Sequence, residues 1–255
     1  MNNKTLYTTI FWLTCFSIAM GYLETAVVVY LRELYYPSGF CFPLTPIGPD
    51  IGMTEFWREA ATVIMLIGAG IMAGKNGPQR FAFFMYCFAV WDIFYYIFLY
   101  LILGWPESLF TWDILFLIPV PWVGPVIAPC LVALAMILLA VTIIYAQING
   151  QSGKMIAREQ LIMIAGILLI LFSFMWDYIE YVQLNHAGNS FWSFDPDKDL
   201  FSEAAAYVPK EFNWKLFIPG LTLLFGGVIL FAIRVAAVKD RKPAVMLESD
   251  IKQES

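Results

Sequence analysis

Residues 123–148, VGPVIAPCLVALAMILLAVTIIYAQI, hold no Asp, Glu, Lys or Arg. A helix needs about 20 mostly apolar residues to cross a bilayer, and this run supplies them. Five more runs of the same kind lie near 6–31, 55–74, 79–103, 158–182 and 214–237. The composition agrees: 60% of the 255 residues are hydrophobic and only 14% are charged. A water-facing domain carries about 25% charged residues, so this chain lacks the polar surface to stand in water. It is too apolar for disorder, and a net charge of −5 speaks against a nucleic-acid partner. The partner that the composition requires is the lipid bilayer. The expected fold is an all-α, polytopic membrane protein of six transmembrane helices. It forms one domain over 1–238, followed by a disordered cytoplasmic C-terminal tail over 239–255.

Two boundaries need argument. From Ile114 to Gly153 there is no charged residue, which is too long for one span, and Pro119, Pro121, Pro125 and Pro129 crowd its first half. Residues 107–121 therefore read as a Pro-rich interfacial segment between helices 3 and 4, with helix 4 starting near Trp122. The first run continues through Ala26, Val27, Val28 and Val29. A signal-peptide core is only about 7–15 residues long, so this run is a retained span. Residues 35–53 are rich in Pro and Gly and read as an ordered, turn-filled loop. Of the four cysteines, Cys15, Cys87 and Cys130 fall in apolar runs and Cys41 in a loop, which makes no disulfide framework. Gly70-x-x-x-Gly74 allows a close helix approach, within the chain or at a dimer seam.

Lys and Arg near the span ends set the orientation. Lys4, Lys75, Arg80, Lys154, Arg158, Arg234, Lys239, Arg241 and Lys242 all fall at one side. The opposite side offers Arg32, Arg58, Lys198 and Lys210 among many acids. Both termini are thus expected in the cytoplasm of a multi-pass cell-membrane protein, with the longer loops outside.

The informative residues are acids inside the spans. Glu24, Glu59, Asp92, Asp177 and Glu180 all fall in the outer half of the expected membrane or near its centre. A charge at the bilayer centre costs about 2.5–3.5 kcal/mol on insertion scales, so each acid needs a partner, water or a bound cation. The available bases are Arg32 and Arg58, and Glu55 competes for Arg58 at i,i+3. Acids outnumber bases. The candidate site is therefore Glu24, Arg58, Glu59, Asp92, Asp177 and Glu180, with Asp177 and Glu180 at its entrance. The plain structural alternative is that these groups form ion pairs or reach water. Trp-Asp recurs at 91–92, 112–113 and 176–177, a repeat too short to outweigh chance.

Other chemistry lacks its residues. His186 is the single histidine and reads as a loop residue, so neither a bis-His haem nor a Glu-x-x-His di-iron site can be built. No zinc motif, nucleophile elbow, P-loop or dinucleotide fingerprint occurs. No metal and no cofactor is expected, although an all-carboxylate site for a hard cation is chemically open.

The runs GYLETAVVVYLRELYYPSGF (21–40), WREAATVIML (57–66) and WDIFYYIFLYLILGWPESLFTWDILFLIPVPWVGPVIAP (91–129) resemble a group of uncharacterised bacterial multi-span membrane proteins. The resemblance covers roughly the first half of the chain and carries no activity or catalytic residue. It implies a bacterial cytoplasmic-membrane protein whose distinctive part is the outer face of the first three helices.

Three functions fit the acid surplus. In a small proton- or cation-linked carrier, Glu24, Glu59 and Asp92 exchange the proton or cation, and Arg58 holds the carboxylates in register or receives an anionic substrate group. In a membrane-embedded enzyme on a lipid-like substrate, Glu59 or Asp92 is a general base. In an accessory subunit, the acids pair with arginines of a partner membrane subunit. The carrier is the preferred expectation.

Overall fold

The computed structural model of the protein describes residues 3–116, 120–185 and 206–253. Its helices are α1 (Asn3–Tyr35), α2 (Pro49–Ala73), α3 (Gly77–Leu103), α4 (Ile127–Ile148), α5 (Ala157–Asn185) and α6 (Trp214–Gln253). Each of the six contains a stretch long and apolar enough to cross a membrane. The chain is a polytopic, all-α membrane protein with six spans. His186, Trp192 and the acidic stretch to Glu203 lie outside the described residues.

Local chemistry sets the helix ends. Helix α2 starts at Pro49, within the stretch expected as loop, because proline suits a first turn whose N–H groups have no intrahelical partner. The α1–α2 loop is thereby shortened to residues 36–48. Asn76 caps α3 by accepting a hydrogen bond from the Gln79 N–H at 3.0 Å. The same helix ends on Gly104, which is left-handed at φ 65°. Helix α6 continues beyond its apolar run into the stretch expected as a tail.

The α3–α4 connection differs from expectation. Strands β1 (Trp112–Phe116) and β2 (Trp122–Pro125) pair antiparallel, with Asp113 opposite Gly124 and Ile114 opposite Val123. Helix α4 therefore begins at Ile127 rather than near Trp122. Prolines lack the N–H and the free φ that a helix over 121–125 would need, whereas Pro129 is tolerated in the first turn.

Helix α3 is the centre of one half, packed against α1, α2 and α4, while α5 and α6 form the most extensive pair. One core cluster joins α1, α2 and α3 through Leu13, Met20, Leu66, Phe83 and Trp91. A larger one joins α4, α5 and α6 through Ile143, Phe174, Phe217 and Phe231. Small residues set the approach distances. A Cβ on Gly70 would lie 2.7 Å from the Arg80 carbonyl oxygen of α3, so Gly70 is used for packing within the chain. Gly21 brings α1 onto α3 beside Trp91, and the Thr25 hydroxyl donates across that contact to the Tyr95 carbonyl at 3.1 Å. All four cysteines are free thiols.

Candidate functional site

Helix lengths place three acids at one level. Glu24 stands eleven residues before the end of α1, and Asp92 eleven before the end of α3. At 1.5 Å per residue both lie about 16 Å inside the bundle. Glu59 is ten residues into α2, which starts from the same end, or about 15 Å deep. A cavity of about 200 Å³ lies among them, bounded by α1, α2, α3, β1 and the α1–α2 loop. Among the described residues, none after Phe116 lines it.

Arg58 is the organising cation. Its Nε donates to Glu55 one turn earlier on α2 at 2.9 Å, and its Nη1 donates across to Glu24 of α1. One guanidinium thus ties two carboxylates and two helices, in the forked geometry that lysine cannot offer. The Thr62 hydroxyl donates to the Arg58 carbonyl at 3.1 Å, on the same helical face.

The second cation, Arg32, is held elsewhere. Its Nη2 lies 3.8 Å from Asp113 of β1, and its guanidinium sits over the rings of Phe40 and Trp105, with centroids at 4.5 and 3.8 Å. Asp113 is 3% exposed and also accepts from the Tyr96 hydroxyl at 3.1 Å. Burial pushes its carboxyl up to about 6, against the lowering effect of Arg32 and of the Tyr96 hydrogen bond. Protonation below that pH removes the charge that Arg32 faces. Asp113 was not among the expected site residues. Its sequence signal was the middle Trp-Asp dipeptide, in a segment that offers no base.

Asp92 is different. It borders the cavity near the middle of α3, yet none of the described hydrogen bonds or ion pairs reaches it. Both nearby guanidiniums are already engaged by other carboxylates. Glu59 lines the same cavity. So does Trp91, whose side chain is buried and whose indole N–H has no acceptor.

Asp177 and Glu180 are brought together, but not with the other four. They line a separate cavity of about 500 Å³ between the end of α5 and the start of α6. Asp177 accepts from the Tyr207 hydroxyl and from the Lys210 N–H, the latter at 3.1 Å, and so ties the segment before α6 onto α5. The Tyr207 phenol is shifted upward by burial and by the adjacent carboxylate. Among the described residues no three His, Cys, Asp or Glu side chains come together as a metal site. Comparisons with family models, with curated proteins and with solved structures gave no match for this chain.

Proposed function

We propose that the protein is a small proton- or cation-linked carrier of the bacterial cytoplasmic membrane. Both termini are cytoplasmic in this reading, as the Lys and Arg distribution favours, and the cavity opens outward. One observation carries it: Asp92 borders a cavity at mid-helix depth while Arg58 and Arg32 are committed to Glu24, Glu55 and Asp113. A carboxylate at that depth needs a proton, water or a bound cation, and a group that exchanges these is what a carrier requires. Glu24, Glu55 and Glu59, the Asp113 carboxyl, and the Tyr95 and Tyr96 phenols set the field around it, with Arg58 and Arg32 opposing. The enzyme reading has less support, since no Ser, Cys or His lines the cavity among the described residues.

The test is proton movement in proteoliposomes carrying a pH-sensitive dye, under an imposed sodium or potassium gradient. The unaltered chain is expected to move protons at least tenfold faster than empty liposomes. Asp92→Asn is expected to fall to the empty-liposome rate, and Ser108→Ala, outside the cavity, to match the unaltered chain. Flux at the empty-liposome rate under both gradients, or full flux in Asp92→Asn, overturns the reading.

A further inference from the structure

The cavity proposed as the exchange site also has the chemistry of a particular ligand class, and the inference rests on that reading. Five carboxylates line it (Glu24, Glu55, Glu59, Asp92 and Asp113) against two guanidiniums, a formal charge of −3 with all groups ionised. Both guanidiniums are engaged, so an anion finds no available cation. A metal ion finds no described convergence of three ligating side chains, while Mg²⁺ and Ca²⁺ take six or more oxygens.

The walls are apolar and aromatic, among them Val28, Tyr36, Phe40, Trp91, Tyr95 and Phe116. Aromatic faces attract an organic cation through the ring quadrupole. This wall already does so once, where Arg32 sits over Phe40 and the neighbouring Trp105. Trp91 is only 7% exposed and lines the same cavity, so its ring adds to the aromatic wall beside Asp92. The volume of about 200 Å³ is below the range of drug-sized pockets, which start at about 300 Å³, and suits a single-ring molecule.

We propose that this cavity binds a small organic ammonium ion with an apolar body. The ammonium lies on Asp92 and the body against the aromatic walls.

The test is calorimetric binding to the purified chain in lipid nanodiscs, with two probes: 2-phenylethylammonium and neutral 2-phenylethanol. On the unaltered chain, 2-phenylethylammonium is expected to bind at least tenfold more tightly than 2-phenylethanol. Asp92→Asn is expected to remove the tenfold preference for the ammonium while leaving 2-phenylethanol binding in place. Equal affinity for the ammonium and the neutral alcohol, no saturable binding of any probe, or an unchanged preference in Asp92→Asn overturns the proposal. The probe comparison on the unaltered chain needs no variant to fold. Loss of proton flux in Asp92→Asn without ammonium binding sinks this inference and leaves the carrier reading intact. Selective ammonium binding without Asp92-dependent flux does the reverse.

Discussion

Replacing Arg58 with Met is expected to destabilise the protein by about 3 kcal/mol, and replacing Glu24 with Gln in the same chain to recover a large part of the loss. Removing one partner of a buried ion pair costs about 3–5 kcal/mol, because the remaining charge stays desolvated. The lower end applies here, since the Arg58 side chain keeps 21% of its surface accessible. The loss is larger than for a simple pair in one respect: Arg58 bridges both Glu24 and Glu55, and without it two like charges share one corner of the cavity. Glu24→Gln removes the member on α1 and with it much of the repulsion. The measurement is a double-mutant cycle on thermal melting of the purified chain in one detergent, where residues in one network show couplings of about 0.5–3 kcal/mol. Arg58→Lys is expected to fall between, keeping the charge but losing the fork. A melting temperature for Arg58→Met equal to that of the unaltered chain would mean that the triad does not hold α1 to α2. So would a double variant no better than the single one.

That triad shows how far the sequence could be read. The spans follow from composition, because a hydrocarbon layer asks only for length and apolarity and each run satisfies both by itself. The Glu55–Arg58 contact is local, set by one helical turn, and was legible for the same reason. The reach of Arg58 to Glu24 depends on how α1 packs against its neighbours, which turns on Gly21 and Thr25 fitting against α3 rather than on any motif. Asp113 was missed because it lies in a short hairpin, and a five-residue strand flanked by prolines gives too weak a periodic signal to place a side chain. Asp177 and Glu180 show the converse. Their helical spacing resembles that of Glu55 and Glu59, but spacing says which residues share a face and not what the face meets. The structure turns that face toward Tyr207 and Lys210, away from α1–α3. The α4 start was misplaced by the same kind of gap: counting apolar residues locates a span, but only the pairing of β1 with β2 shows where extended backbone gives way to helix.

Gly166→Ala is expected to be the most damaging single-methyl change in the second half of the chain, and Gly226→Ala to be harmless. Both glycines are inside apolar helices, and nothing in the sequence separates them. In the structure, a Cβ on Gly166 would lie 2.7 Å from both the Gly220 carbonyl oxygen and the Leu224 nitrogen, which are backbone atoms of α6. Side chains can rotate away from a methyl group but a helix backbone can only move as a whole. Helix α6 is prevented from moving by attachments near both ends of its apolar stretch. Arg234 holds Glu159 through two hydrogen bonds at 2.7 and 2.8 Å, and Asp177 holds the segment that leads into α6. Overpacking costs typically 1–3 kcal/mol, and a backbone-to-backbone clash under those restraints belongs at about 3. A Cβ on Gly226 meets nothing within 4 Å, so alanine there brings only its better helix propensity, about 0.8–1 kcal/mol in a soluble helix. Melting temperatures of the two variants in one detergent decide the matter, and equal shifts would contradict this account of the α5–α6 contact. The variant has a second use. Among the described residues, none of α5 or α6 lines the α1–α3 cavity. Gly166→Ala protein that stays folded at low temperature should therefore keep the tenfold preference for 2-phenylethylammonium over 2-phenylethanol. Loss of that preference would mean that the two halves of the bundle are coupled at the cavity, and that the site is not built by the first three helices, β1 and the α1–α2 loop alone.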